Sequence, residues 1–276
     1  MSYFHLNLIL KGKLTVCCLL MLSVIPLNAQ REAKQIGDFK ESISLNEHLR
    51  GTKRTLQYRP DGDEFVCVNG KNRYTRALYG SHSPFRVETS DRPVFAFYNN
   101  GRGGNISFKV ILRDGTELAL DCTGHCESRY SAGKRTYYLT DPSWGKGELR
   151  ISVLALADMD GAIWRFSPSN MPKGAILRWQ HGGATGKRLS RNGDMGVDPA
   201  DCFELPVEAT DLVTGELPLQ KEVYLVRGEV PEGYNVRKLY QQAEAASLAL
   251  ASHLKIETPD PYLNTLGGAL VAAADG

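Results

Sequence analysis

Apolar and polar side chains alternate along much of the stretch between residues 55 and 228, and this period of two is the signature of half-buried β-strands. Ile106, Phe108, Val110 and Leu112 form one apolar row, while Ser107, Lys109, Ile111 and Arg113 form a more polar one. The first row predicts a face turned inward. Further strands are predicted over 55–59, 64–68, 85–89, 94–98, 105–112, 117–122, 135–139, 149–157, 162–166, 175–180 and 222–227. Pro60-Asp-Gly62, Arg113-Asp-Gly-Thr116 and Asp158-Met-Asp-Gly161 fall between consecutive strands, where turn residues supply the required backbone angles. No helical period of useful length interrupts this region. Ten or more antiparallel strands without crossover helices predict a mainly β fold, a large antiparallel β-sandwich with Trp164 and Trp179 in its core.

After Pro231 the period changes. Asn235 is a suitable cap for a helix whose Leu239, Ala243, Ala246, Leu250 and Leu254 make an apolar stripe. At 1.5 Å per residue such a helix spans roughly 28 Å, which suits a linker leading away from the sandwich. A second helix is predicted from Asp260-Pro261, with Leu263, Leu266, Leu270 and Ala274 on one face. This reads as the truncated first helix of an α/α domain. A C-terminal helical domain is the expected partner of that face.

The first thirty residues follow another rule. Lys11 and Lys13 precede an apolar run from Leu14 to Leu27, and small Ala29 follows, the arrangement of a secretory signal peptide. The run is short for a membrane span, so no membrane association is expected after cleavage. Larger Val16 before Cys17 and Cys18 argues against lipidation. The expected organisation is signal peptide 1–29, flexible lead-in 30–52, β-sandwich 53–230, linker helix 231–257 and start of a helical domain 258–276. A periplasmic or otherwise exported location follows.

Composition adds limits. With 276 residues, 42% hydrophobic and 23% charged, the chain is ordinary globular material. A net charge of +2 gives no polyanion-binding surface, so nucleic acid is not an expected partner. Cys67, Cys122, Cys126 and Cys202 follow the leader, and Cys122 and Cys126 are spaced to bridge across Gly124 in an oxidising compartment. A zinc reading of Cys122-Thr-Gly-His125-Cys126 lacks a second ligand pair. No metal and no cofactor are expected.

Two glycine-rich loops carry the candidate ligand-binding residues. In Asn99-Asn-Gly-Arg-Gly-Gly-Asn105 the glycines would leave Arg102 at a loop tip beside Asn105, placed to grip a carboxylate or sugar hydroxyls. The plainer reading is a hairpin connection. The second loop begins at His181 and contains Arg191 and Asp194; its Asn192, Asp194, Asp198 and Asp201 alternate as oxygen donors. They lack the spacing of a helix-loop-helix calcium site, and a turn-bonded loop explains them as well. Tyr130, Tyr137, Tyr138 and Trp144, with Arg129 and Arg135, form a possible sugar-stacking platform, against which stands ordinary core packing. No catalytic residue is assigned: the Asp158–Gly161 stretch reads as a turn, not as a glycosidase carboxylate pair, and no Gly-x-Ser-x-Gly elbow occurs.

Arg73-Tyr-Thr-Arg-Ala-Leu-Tyr-Gly80, Asn99–Asn105, Arg191-Asn-Gly-Asp-Met-Gly-Val-Asp198 and Thr258-Pro-Asp-Pro-Tyr262 together resemble the amino-terminal β-sandwich of the domain-of-unknown-function 4450 family. The resemblance covers about 54–276. It implies an exported glycoside-hydrolase-like protein of a Gram-negative polysaccharide-utilisation system, in which the sandwich leads into an α/α toroid. Tyr262 to Ala274 then resembles the first toroid helix. An accessory sandwich acting on a polysaccharide or oligosaccharide is the expected function, with the catalytic domain elsewhere and no catalysis by the fragment alone. The alternatives are a free-standing carbohydrate-binding module and a mutarotase-like sugar epimerase with His181 as acid or base.

Overall fold

The computed structural model describes residues 57–80, 83–99, 102–188 and 212–276. Within them two seven-stranded antiparallel sheets face each other. The first sheet runs in the order β1 (Arg59–Asp61), β2 (Glu64–Val68), β8 (His125–Ser131), β9 (Lys134–Thr140), β10 (Glu148–Ala155), β11 (Gly161–Ser169) and β14 (Val223–Gly228). The second runs β13 (Val213–Pro218), β12 (Ile176–Arg188), β6 (Arg102–Ile111), β5 (Phe95–Asn99), β4 (Arg86–Thr89) and β3 (Arg76–Leu78), with β7 (Glu117–Ala119) also paired to β6. The predicted β-sandwich is therefore the observed architecture.

The core lies between the sheets, where alternation places it. Ile106, Phe108 and Val110 are buried and Leu112 packs against them. Trp164 sits at the centre, with Phe95 and Phe97 each 5.6 Å away and Phe108 at 6.0 Å. The tilted and edge-on ring geometry suits the aromatic quadrupoles. Tyr130, Tyr137 and Trp144 are buried in the same core, leaving only Tyr138 of the four exposed. The proposed sugar platform thus dissolves into core packing.

A buried ionic network ties the first sheet to the segments before β3 and after β4. Asp91 and Arg135, both essentially inaccessible, approach to 3.5 Å. Asp91 also accepts hydrogen bonds from the Tyr58 hydroxyl, Gln57 Nε2 and the Asn72 amide, and Arg135 donates to Ser128 Oγ at 2.9 Å. Cys67 and Cys126 lie buried beside it, whereas Cys122 is exposed. All three are free thiols, so the bridge that the spacing of Cys122 and Cys126 allows is not formed. The reason is directional: Cys126 faces the core from β8, while Cys122 ends a 3₁₀ turn at the surface. His125, next to Cys126 on a strand, is exposed, so the three residues of the zinc reading do not converge.

Two helices follow: α1 (Val236–Ala251) and α2 (Pro261–Asp275). Both predicted caps are present, Asn235 accepting from the Lys238 amide and Asp260 from the Tyr262 amide. However, α1 does not lead away from the sandwich. It lies on the outer face of the first sheet, where Leu239, Tyr240 and Ala243 meet Leu154, Leu156 and Ile163. On α2 the leucines Leu263 and Leu270 are exposed, and Thr265, Gly267 and Ala272 are buried instead.

Candidate functional site

Of the five residues singled out from the sequence, Arg102, Asn105 and His181 lie among the described residues. Arg102 is not at a loop tip; it opens β6 and pairs with Asn99 of β5 and Arg188 of β12. Gly103 and Gly104 lie within β6, paired to Tyr98 and Phe97 of β5, in keeping with the plainer reading of that segment as a hairpin. His181 likewise lies inside β12, which continues to Arg188 with an irregularity between Gly183 and Arg188. Arg191 and Asp194, with the rest of the alternating oxygen donors, lie outside the described residues.

Asn105 and His181 sit on neighbouring strands but face opposite ways. Asn105 is opposite Gly182, and His181 is opposite Ile106, an inward residue. Successive side chains alternate, so Asn105 projects from the outer face and His181 into the sandwich. They form no common site.

His181 belongs instead to a clasp between the sheets. Its ring lies 5.0 Å from that of Phe97, and Arg227 of β14 donates from Nε to its Nδ1 at 2.9 Å. The same guanidinium lies 5.1 Å from the centre of the Trp179 ring. Burial lowers the Arg227 pKa from its ordinary value, yet the group remains a cation. Nδ1 is the acceptor of this pair, which in a neutral imidazole places the ring proton on Nε2.

A second constellation lies under the two helices. Where α1 and α2 meet the ends of β2, β3, β8 and β10, a groove of about 610 Å³ remains. Its size falls in the range of small-ligand sites, about 300–1,000 Å³. Its existence follows from side-chain volume: Ala132, Ala155, Ala243, Ala246 and Ala269 line it, and such small groups cannot fill the space between a sheet and two helices. The helices are nevertheless firmly seated. Gly133, at φ 74°, lets Ser247 of α1 come close, and Ser247 Oγ donates to the Ala132 carbonyl at 2.6 Å. Lys134 pairs with Glu244 at 3.1 Å, and Thr265 Oγ1 of α2 donates to the Gly62 carbonyl at 2.9 Å.

The groove carries polar groups at its rim. Arg76 lies over the Tyr130 ring, 5.5 Å from its centre, and donates to the Thr75 carbonyl at 2.7 Å. Tyr79 presents a 37% exposed ring against which Gly276 packs. Burial, then nearby Glu88, raises its phenol pKa, so it is a neutral donor and acceptor at physiological pH. Asp158, His253 and Asp275 are exposed around the same opening. In the sequence Arg76 and Tyr79 stand out only as members of one motif, Asp158 only as a turn residue and His253 not at all, because the strand, turn and helices that bring these groups together are far apart in the chain.

A family model described as a domain of unknown function (DUF4450) matches residues 100–229. The match runs from the β5–β6 connection through β14 and stops before α1. No curated protein matches the chain. The matched stretch is therefore similar to that family, and its description carries no activity.

Proposed function

We propose that this protein acts in glycan breakdown outside the cytoplasm, as the accessory β-sandwich of a glycoside-hydrolase-like protein rather than as the catalyst itself. The observation that carries this reading is the attachment of α1 and α2 to the sandwich through buried apolar contacts and specific hydrogen bonds. A sheet covered in this way serves as a platform that holds helices in a fixed orientation. Leu248, Leu254 and Leu263 remain exposed on or beside those helices, a face on which a helical catalytic unit would pack. The apolar leader from Leu14 to Leu27 supports export, and the family similarity over 100–229 supports the sandwich assignment.

The purified chain is expected to release no reducing sugar from plant or host polysaccharides. Deletion of its coding region is expected to slow growth of the source organism on at least one polysaccharide while growth on glucose is unchanged. Unaltered growth on every polysaccharide tried overturns the reading, and turnover of a simple sugar by the chain replaces it with an enzyme. The groove favours a second reading, a carbohydrate-binding module working without a partner.

A further inference from the structure

We propose that the groove between the two helices and the sandwich binds a short neutral saccharide, through contacts from Arg76 and Tyr79. The choice of ligand rests on the glycan reading above; the position rests on the groove itself.

Three features of the groove select this chemistry. Its floor is apolar, formed by Phe65, the Tyr130 ring and small alanines. A pyranose presents C–H faces to such a surface while its hydroxyls remain at the edge, and sites of this kind combine an apolar lining with a few placed polar groups. Its rim offers both hydrogen-bonding senses: Asp158 accepts, Arg76 donates, and Tyr79 does either. Its charges are of mixed sign, with Arg76 facing Asp158 and Asp275. A phosphate or a polyanionic sugar would need a field of one sign, and this rim supplies none.

Arg76 is held ready for the role. Its guanidinium is placed by the Thr75 carbonyl and by the face of Tyr130, which leaves the fork with donors beyond the one used on Thr75. Gly276, which caps α2, packs against the Tyr79 ring. Arg76 opens β3 and Tyr79 directly follows it, so both are carried by a strand paired to β4 and meet a ligand with little loss of backbone freedom.

The test is calorimetric titration of the whole chain with neutral gluco-, manno-, galacto- and xylo-configured trisaccharides. At least one should bind. Arg76→Ala and Tyr79→Ala should each weaken that binding about tenfold or more. Ala246→Trp, which fills the groove from the exposed side of α1, should abolish it with the circular dichroism spectrum retained. His181→Gln, outside the groove, should bind as the parent does. Absence of binding by the folded chain up to about 10 mM of every trisaccharide overturns the inference. So does full affinity in Ala246→Trp, or loss of affinity in His181→Gln with Arg76→Ala unaffected. In those last two cases a sugar still binds, so the glycan reading survives while the groove assignment fails. Binding of dodecanoate in place of any sugar assigns the groove to an aliphatic ligand and also overturns the proposal.

Discussion

Asp91 is buried without access to water, and its charge is tolerated because Arg135, Tyr58, Gln57 and the Asn72 amide surround it. Removing one member leaves the other uncompensated, the costly case for buried pairs. Asp91→Ala should therefore lower unfolding stability by about 3–5 kcal/mol, measurable as a shift in guanidinium midpoint. Two thiols nearby are held neutral. Burial pushes the Cys126 thiol up to about 12 and raises that of Cys67 as well. At pH 8 the Cys126 thiolate is then on the order of one part in ten thousand. Brief treatment with iodoacetamide should label Cys122 and spare Cys67 and Cys126, as peptide mass mapping would reveal. The same shift has a stability consequence. The folded state keeps the Cys126 proton that the unfolded chain releases near pH 8.5, so this contribution is complete below that value and is lost as pH rises toward 12. Cys126→Val should flatten the alkaline fall in stability. None of this was legible in sequence, because Asp91 follows strand β4 without a pattern of its own and Arg135 reads as a polar partner of the candidate aromatic platform. Trp164 was legible, because apolar neighbours on both sides leave such a residue nowhere but inside.

At the scale of elements, strong alternation and strong caps made themselves visible. The β6 and β10 patterns, Asn235 and Asp260 all fall where the sequence predicts. Strands β3, β8 and β13 were not predicted. They are polar or short, and strand pairing by neighbours decides them rather than their own composition. Glycines misled in β12, where His181-Gly-Gly reads as a loop but pairs with β6. On α2 the apolar face inferred from leucine spacing is largely outward. Gly267 and Gly268 instead allow backbone approach to Leu254, Ala132 and Ala251, so small residues occupy the contact. A bulky substitution there is predicted to be worse than loss of a leucine: Gly267→Val should unseat α2, seen as accelerated amide exchange through 261–275, while Leu263→Ala should change stability by less than about 0.5 kcal/mol. Leu239→Ala, in the buried contact of α1, should cost about 2–4 kcal/mol.

For the whole molecule, the unexpected arrangement is that α1 covers the sandwich. A chain ending at residue 230 would expose Leu154 and Ile163 on the outer sheet face, and is predicted to bind 8-anilinonaphthalene-1-sulfonate and to aggregate where the longer chain does neither. The sequence alone established the class of fold, the place where strands give way to helices and the identity of the helix caps. These depend on period, turn chemistry and local hydrogen bonds, all of which act over a few residues. Only the tertiary structure decided that Asn105 and His181 face opposite sides of one sheet, that Asp91 meets Arg135, and that Arg76, Tyr79, Asp158 and His253 share one groove. These depend on strand register and on which helix face reaches the sheet, and both are set by packing between segments separated by up to about two hundred residues.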